Sequence, residues 1–304
     1  MILAYIGLGN MGYIIAGHIA DKLKQDGEPT LLVYNRSNAK VDALIADGKH
    51  VQSASIDHIA RHADIIFTCM FNDEASKQII GKDMIGSGQM KHGAIIVEQA
   101  TIRPDTAEFL ASIANEKGLH YLTCPVMGAP PRATAKLLVP LLAGNPAQRK
   151  IVRPYLENVI GKVVVEVGDS PGSALRLKLC GNYIIVTMVE MIAEALTLGE
   201  ASGVGQNKVQ ELLAGLFAGT PVTDYAQRMT DETYDDVRFS LDGANKDTTY
   251  ILDLAEKSNA DIPMAKVFKN HLDKLTSDYP SLDISGVVGV VREASGLPFN
   301  LKKA

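Results

Sequence analysis

The residues best suited to chemistry in this 304-residue chain begin with a glycine-rich run near residue 10. The run reads Gly7-Leu8-Gly9-Asn10-Met11-Gly12 and follows a short apolar segment from Ile2 to Ile6. Between a strand and a helix, this G-x-G-x-x-G spacing allows a tight turn, close approach of a pyrophosphate, and packing of the helix on the strand. The helix N-terminus also offers N–H groups and a positive dipole end to the phosphates. The run therefore predicts a dinucleotide site; the alternative is a glycine-rich turn without a ligand.

Three residues at the end of the second apolar segment bear on which dinucleotide binds. An acidic residue there would bind the ribose 2′-hydroxyl of NAD, but the sequence has Asn35, Arg36 and Ser37 instead. Arg36 can pair with a 2′-phosphate and stack on the adenine, and Ser37 can donate a hydrogen bond. NADP(H) is therefore predicted. The alternative is that Arg36 is a solvated turn residue and that NAD is used as well.

A second group of reactive residues lies in the long apolar segment from Ser173 to Ala201. Lys178 and Asn182 are four residues apart there, and so they share one face of a helix whose neighbouring positions are apolar. A lysine can give or take the proton that accompanies hydride transfer at a carbonyl carbon. The alternative is a lysine whose stem covers apolar surface, beside an asparagine of the core.

Alternating strand and helix patterns position the glycine-rich run. Helices are predicted from Asn10 to Asp26, from Ala39 to Asp47, and from Pro104 onward. The predicted strands are Ile2–Ile6, Leu31–Tyr34, Asp64–Met70, Ala94–Val97, Leu119–Thr123, Leu137–Ala143 and Val163–Val167. Strands that alternate with helices in this way imply a doubly wound, largely parallel sheet.

The remainder of the chain is predicted to be helical. After Gly168–Gly172, apolar residues recur at helical spacing, and further helices are predicted at Asn207–Phe217, Lys246–Ser258 and Pro263–Asp278. The predicted fold class is therefore α/β. An N-terminal doubly wound Rossmann domain (residues 1–169) is joined by a long helix to an all-α C-terminal domain (residues 170–304).

Charge and composition argue against several classes of protein. The net charge of −5 and the pI of about 5.8 do not suit broad nucleic-acid binding, which needs a basic face. The first twenty residues carry no charge, but no basic segment precedes the apolar run, so a signal peptide is not predicted. The apolar stretch Tyr183–Gly199 contains Glu190 and Glu194 one turn apart, which predicts an amphipathic helix rather than a membrane span.

Cysteine and histidine usage predicts a reducing compartment and no metal site. Cys69, Cys124 and Cys180 are too few for a disulfide framework in a chain of this length, and their spacing matches no zinc motif. The seven histidines show no clear set of ligands. A soluble cytoplasmic protein without a bound metal is expected.

Taken together, the motifs resemble those of the β-hydroxyacid dehydrogenase family, which includes 3-hydroxyisobutyrate dehydrogenase, tartronate semialdehyde reductase and the glyoxylate/succinic semialdehyde reductases. The resemblance extends from Ile2 to about Arg292. It rests on five motifs in the family's order: Gly7–Gly12 with its Met11, Glu98–Pro104, Cys124–Ala129, Gly168–Asn182, and Phe239 followed by Lys246-Asp247.

The resemblance implies roles for individual residues. Lys178 would be the catalytic acid and base, and Asn182 would orient it or bind the substrate oxygen. Further cofactor contacts would come from Met70, Thr101 and Lys246. Substrate contacts would come from Pro125, Val126, Met127, Gly128, Phe239 and Asp247, and Asp247 would also support the catalytic lysine. The family also implies a homodimer or homotetramer formed through the helical domains.

Two departures from the family's pattern affect the expected substrate. Met127 stands where the family usually has a serine that helps bind a carboxylate, and Lys136 stands where it usually has a glycine. Arg132 could supply a carboxylate partner instead, or it could be a plain surface arginine. The expected substrate is a small hydroxyacid, a semialdehyde or a related carbonyl compound. The alternatives are an imine reductase on the same fold, which Lys178 disfavours and Met127 slightly favours, and a non-catalytic NADP-binding module.

Overall fold

A computed structural model describes residues 1–300 of the chain, which divides into two compact units, Met1–Lys178 and Leu179–Ala304. The domain boundary predicted from the sequence, residue 169, lies just before the long helix in which the two units meet. The predicted fold class is confirmed: the first unit has a largely parallel sheet with helices, and the second is built from helices.

The sheet of the first unit has nine strands. They are β1 Leu3–Ile6, β2 Leu31–Tyr34, β3 Val51–Ser53, β4 Ile65–Thr68, β5 Ile95–Glu98, β6 His120–Thr123, β7 Val126–Met127, β8 Val139–Ala143 and β9 Val165–Gly168. Their order is β3-β2-β1-β4-β5-β6-β8-β7, with β9 also paired to β8. Strands β1 to β6 are all parallel, whereas β8 runs antiparallel to β6 and β7. The carboxyl ends of β1, β2, β4, β5 and β6 therefore lie at one edge, where a doubly wound sheet binds ligands.

The helices that begin in the first unit connect these strands, except for the last one, which follows β9 and leads into the second unit. They are α1 Asn10–Asp26, α2 Ala39–Ala46, α3 Ile56–His62, α4 Asp73–Ser76 (which continues as a π-helix over Lys77–Ile85), α5 Pro104–Glu116, α6 Pro130–Thr134, α7 Pro146–Val152 and the long α8 Pro171–Ala201. Side chains of one strand alternate between two cores, as the pleat requires. Leu3 and Tyr5 pack in the core that includes Ile19 of α1, whereas Ala4 and Ile6 pack in the core that includes Leu110 of α5.

As far as residue 300, the second unit contains the rest of α8 and five further α-helices. These are α9 Gln206–Leu216, α10 Pro221–Asp231, α11 Leu241–Lys257, α12 Pro263–Asp278 and α13 Val287–Ala294. In α8, the buried residues Val186, Val189, Ala193 and Leu196 recur at helical spacing and pack into the core of this unit. By length and composition alone, α8 is apolar enough to cross a membrane. Half of that window is buried within the protein, and its buried residues include several that belong to the core of the second unit.

Candidate functional site

The glycine-rich turn joins β1 to α1, and two of its glycines are required by close backbone contacts. Gly7 has φ of +96°, and a Cβ atom there would lie 2.5 Å from the carbonyl oxygen of Cys69. A Cβ atom at Gly12 would lie 2.0 Å from the carbonyl oxygen of Gly7. Any larger residue would therefore force the backbone apart at either position.

Gly9, in contrast, faces open space and suits the approach of a phosphate group. A Cβ atom there would meet no other atom within 4 Å. Gly9 is also the N-cap of α1 and provides no side-chain hydrogen bond to the first turn, which begins at Asn10 and Met11. The first N–H groups of a helix have no partner within the helix, so those of α1 can bind the pyrophosphate of a dinucleotide. The geometry of this turn fits such a cofactor.

The residues that follow β2 lie beside the glycine-rich turn. Asn35 accepts a hydrogen bond from the N–H of Leu8 through Oδ1, at 2.9 Å, and donates through Nδ2 to the carbonyl oxygen of Ser37, also at 2.9 Å. Asn35 thus connects the glycine-rich turn to the turn that follows β2. Its position in the sequence did not indicate this structural role. The side chains of Arg36 and Ser37 are exposed at the same edge.

Met70 and Thr101 follow the neighbouring strands β4 and β5, and both are half-buried. The methyl group of Met70 lies 3.0 Å from the position that a Cβ of Gly7 would take, which places it against the glycine-rich turn. The glycine-rich turn, Met70 and Thr101 thus follow neighbouring parallel strands at one edge of the sheet in the first unit.

A buried carboxyl group that the sequence analysis did not single out orders the segment carrying Thr101. Glu98 ends β5 and accepts hydrogen bonds from the Ala100 N–H at 2.9 Å and the Ser76 hydroxyl at 2.8 Å. Burial raises the pKa of Glu98 to about 7, although these hydrogen bonds oppose the shift. The sequence did carry a signal for this buried group, because Glu98 directly follows the apolar residues of β5. Acidic residues are rarely buried without partners, so a glutamate at this place indicates a carboxyl group with hydrogen-bond partners.

A second pair ties the same segment to the start of α4. Asp73 accepts hydrogen bonds from the backbone N–H of Arg103 at 3.0 Å and from its guanidinium at 3.1 Å. Glu98 and Arg103 therefore connect the segment after β5 to α4 at two points, through Ser76 and Asp73. Thr101 lies between these two points.

The predicted substrate loop is shaped by the short strand β7. Val126 and Met127 pair with β8, and Pro125 accepts a hydrogen bond from the Leu141 N–H at 2.9 Å. Gly128 has φ of +127°, and a Cβ atom there would lie 2.7 Å from Leu138. Burial raises the pKa of the preceding Cys124 to about 12, so its thiol is not a nucleophile at neutral pH.

Lys178 lies next to this loop, within the first unit. Its Nζ donates to the Sδ of Met127 at 3.6 Å. Met127 packs against an aliphatic cluster that includes Val139 and Ala174, and Ala174 precedes Lys178 on α8 by one turn. A thioether is only a weak acceptor and carries no charge. The side chain of Met127 that contacts this amine is therefore uncharged.

The remaining predicted residues belong to the second unit. Asn182 donates through Nδ2 to Oδ2 of Asp247 at 2.6 Å, and both side chains are more than nine-tenths buried. Lys246 forms an ion pair with Oδ1 of Asp247 at 3.0 Å. Its Nζ also lies 5.2 Å from the ring centre of Tyr250, a residue that the sequence analysis did not identify.

Phe239 is held differently, through its backbone. Its N–H and that of Arg238 both donate to Oδ2 of Asp283, at 2.8 and 2.9 Å. The ring packs beside Gly243 at the start of α11, where a Cβ atom would lie 3.1 Å from it.

A metal site finds no support within residues 1–300, where no group of three or more His, Cys, Asp or Glu side chains could hold an ion. His58 and His62 stack on each other in α3 with ring centres 4.2 Å apart. His62 uses Nδ1 to contact the carbonyl oxygen of His58.

Two family models match consecutive parts of the chain. The model for the NAD-binding domain of 6-phosphogluconate dehydrogenase matches residues 2–168, and that for the NAD-binding domain of NADP-dependent 3-hydroxyisobutyrate dehydrogenase matches residues 172–291. The NADH-dependent oxidoreductase ucdB of Aspergillus ustus is 28% identical over 89% of this chain and 92% of its own length.

Solved structures show the same fold at low sequence identity. A 3-hydroxyisobutyrate dehydrogenase from Salmonella typhimurium has a TM-score of 0.83 at 20% identity, over 95% of this chain and 99% of its own. An imine reductase from Myxococcus stipitatus in complex with NADP⁺ has a TM-score of 0.62 at 21% identity, over 95% of this chain and 98% of its own.

Proposed function

Because this chain belongs to the β-hydroxyacid dehydrogenase family, we propose that it transfers a hydride between NADP(H) and a small hydroxyacid, semialdehyde or related carbonyl compound, with Lys178 as general acid and base. Membership of this family makes the protein an oxidoreductase with a nicotinamide cofactor; the choice of cofactor, the substrate and the lysine's role are our proposal. The observation that carries it is the contact between Lys178 and the loop residue Met127.

The cofactor would be held by the edge of the sheet in the first unit. The N–H groups at the start of α1 would bind the pyrophosphate over Gly9, and Met70 and Thr101 would contact the nicotinamide end. When bound, the dinucleotide supplies or accepts the hydride. NADP(H) is favoured because Arg36 and Ser37 are exposed beside the turn and no carboxylate stands at positions 35–37 to repel a 2′-phosphate.

Lys178 would manage the proton. As a carbonyl is reduced, negative charge builds on its oxygen, and the ammonium group of Lys178 donates a proton to that oxygen. In the reverse direction the neutral amine takes the proton from the hydroxyl. The contact of Lys178 with Met127, which packs on an aliphatic cluster, supports this role because it puts the amine beside the substrate loop.

The substrate loop would set which carbonyl compound binds. Backbone N–H groups from Met127 to Ala129 could hold an acid group, but the Met127 side chain has no donor to add. Arg132 is exposed on α6, directly after this loop, and its Cβ lies 3.3 Å from the position that a Cβ of Gly128 would take. An acidic substrate would rely on these groups, whereas a less polar carbonyl compound would find the Met127 thioether a suitable neighbour.

Imine reduction is the second candidate, and Met127 is the observation that favours it. An imine offers no carboxylate and would accept an apolar residue at this place in the loop. A non-catalytic NADP-binding module is the third reading, although it gives Lys178 no task.

We further propose a cytoplasmic homodimer or homotetramer. Ile184, Met191 and Leu198 recur every seven residues along α8 and are 62%, 44% and 69% exposed. A regular apolar stripe of this kind suits a helix packed against a second copy. The mass in solution, measured by light scattering, tests it.

The decisive experiment follows NADPH absorbance with semialdehydes, glyoxylate, neutral ketones and cyclic imines, using wild type and Lys178→Ala. Turnover of a carbonyl compound by wild type and its loss in the variant are expected. Turnover of imines alone, undiminished in the variant, would establish the second candidate. NADPH binding without turnover of any compound would establish that the protein is a non-catalytic NADP-binding module.

A further inference from the structure

A buried hydrogen bond joins the strand before the glycine-rich turn to the segment that carries Thr101. The hydroxyl of Tyr5, in β1, donates to Oε1 of Gln99 at 2.6 Å, although 94 residues separate the two in sequence. Tyr5 is fully buried, and Gln99 is only 3% exposed. Burial raises the pKa of Tyr5 well above its ordinary value, so the hydroxyl keeps its proton in the neutral pH range and remains a donor.

The Tyr5 ring also contacts the glycine-rich turn. Its Cε1 atom lies 3.3 Å from the position that a Cβ of Gly12 would take, so the ring packs against the start of α1. Strand β4 lies between β1 and β5 in the sheet, and the ring is stacked on Phe67 of β4 with ring centres 6.2 Å apart. One side chain therefore reaches from the glycine-rich turn, across β4, to the segment that follows β5.

Gln99 extends this connection toward the predicted substrate loop. Its backbone N–H donates to the carbonyl oxygen of Thr68 at 2.7 Å, which fixes the start of the segment after β5. Within residues 1–300, no nitrogen or oxygen atom accepts a hydrogen bond from its buried Nε2. The thiol of Cys124 is the remaining neighbour, and its side-chain hydrogen bond with Gln99 opposes the rise in the Cys124 pKa that burial causes. Cys124 directly precedes Pro125, where the substrate loop begins.

We propose that Gln99 is a positioning residue, held by Tyr5, that fixes the nicotinamide end of the cofactor relative to the pyrophosphate end. The inference rests on the proposed function, in which Thr101 contacts the nicotinamide and the glycine-rich turn binds the pyrophosphate. Thr101 is only two residues after Gln99. Since a misplacement of about 1 Å can cost about 100-fold in rate, a shift of this segment would slow hydride transfer while the adenosine end of the cofactor stayed bound.

The connection to Tyr5 differs from those through Glu98 and Arg103 because it lies on the other face of the sheet. Glu98 and Arg103 tie the segment to α4, and the continuation of α4 packs in one core through Ile80. Tyr5 packs in the other core, which includes residues of α1. Loss of the Tyr5 hydrogen bond would therefore free the segment on the side that faces α1.

The test compares Tyr5→Phe with a matched control, Tyr121→Phe. Tyr5→Phe keeps the ring beside Gly12 and removes the hydroxyl that holds Gln99, so kcat should fall about tenfold or more, as misplaced reacting groups slow a reaction. Tyr121, on β6, is also a buried tyrosine, but its hydroxyl has no hydrogen-bond partner within residues 1–300. Tyr121→Phe should therefore retain wild-type kcat. Equal kcat in the two variants would overturn the inference.

A double variant, Tyr5→Phe/Gln99→Met, separates positioning from loss of stability. Tyr5→Phe leaves Oε1 of Gln99 buried without its donor, so the midpoint of unfolding in urea should fall. Methionine fills similar space with no strong polar group to satisfy, so the double variant should recover most of the midpoint. Its kcat should stay low, because apolar contact is not directional. A kcat that recovered together with the midpoint would mean that the pair serves stability alone.

Binding of two ligands locates the effect at one end of the cofactor. Adenosine 2′,5′-bisphosphate lacks the nicotinamide, so its Kd, measured by calorimetry, should be the same in wild type and Tyr5→Phe. The fluorescence emission of bound NADPH, which reports the surroundings of the nicotinamide, should differ between them. A bisphosphate Kd weakened as much as kcat would contradict the inference, because the glycine-rich turn itself would then have moved.

Hydrogen exchange keeps failure of the proposed function distinct from failure of this inference. In the protein without ligand, peptides that cover residues 98–104 should exchange amide hydrogens faster in Tyr5→Phe than in wild type or Tyr121→Phe, as measured by mass spectrometry. Equal exchange in all three proteins would overturn the inference even if wild type reduced a carbonyl compound. Wild type inactive on every compound, with the expected difference in exchange, would refute the proposed function and leave the connection through Tyr5 and Gln99 supported.

Discussion

The buried carboxyl group of Glu98 should make the stability of this protein depend on pH. Its pKa is raised from 4.5 to about 7 by burial at the end of β5. A group whose pKa is higher in the folded state stabilises the fold below its unfolded pKa, and this contribution is lost as the pH rises through the folded pKa. Wild type should therefore lose stability relative to a non-titrating variant as the pH rises from about 4.5 to above 7.

Glu98→Gln provides that variant with little change of shape. The amide oxygen can still accept from the Ala100 N–H, and its NH₂ can donate to the Ser76 hydroxyl, which then turns to accept. From the two pKa values, wild type should lose about 2.5 kcal/mol relative to the variant between pH 5 and pH 8.5.

Urea unfolding followed by circular dichroism at four pH values across this range would measure the difference. Glu116→Gln, at the exposed end of α5, removes a carboxylate without burial and should show no such trend. A difference between wild type and Glu98→Gln that stays constant with pH would refute the argument, because it would mean that folding does not change the affinity of Glu98 for its proton.

Three other variants test the proposed chemistry. Lys178→Ala should lower kcat about 100-fold or more with unchanged NADPH binding; turnover within about tenfold of wild type would remove Lys178 from the mechanism. Arg36→Asp should shift the ratio of kcat/KM values for NADPH and NADH about tenfold or more toward NADH, because an anion would replace the cation facing the 2′-phosphate; an unaltered ratio would contradict that pairing. Met127→Ser should raise kcat/KM for succinic semialdehyde relative to butanal by about tenfold, because it adds a donor for the carboxylate; equal effects on both aldehydes would show that Met127 does not select against charge.

The places of the main strands along the chain were predictable because these strands are buried on both faces. Strands such as β1 and β5 are short, continuous apolar runs bounded by turn residues, and parallel pairing in the interior requires that pattern. The strands β3 and β7 were not predicted, since Val51–Ser53 and Val126–Met127 are too short to show a period. Each of these segments is extended because it pairs with a neighbouring strand: β3 pairs with β2, and β7 pairs with β8.

Helix α13 shows how tertiary packing overrides the secondary-structure preference of the local sequence. Its sequence, Val287-Val288-Gly289-Val290-Val291, is rich in the β-branched residues that favour strands. The described part of the second unit offers no strand with which it could pair. As a helix it buries these valines in the core beside Leu272 of α12. Burial in the available core outweighs the modest cost of β-branching in a helix.

The sequence by itself determined the class of cofactor, because the glycine requirement is local. Gly7 is needed because the turn lies against the backbone of Cys69, and Gly12 is needed because it lies against the backbone of Gly7. The spacing of the two glycines in the sequence therefore reflects these close contacts directly. The positions of Lys178 and Asn182 on one helix face were equally readable from their separation by four residues.

Only the tertiary structure decided how these groups are held. Asn182 meets Asp247 across 65 residues of sequence, and Ser76 meets Glu98 across 22. A hydrogen bond between distant segments leaves no periodic trace, because the chain between the partners can take many lengths and paths. The raised pKa of Glu98 depends on burial and on hydrogen-bond partners, which exist only once the chain has folded.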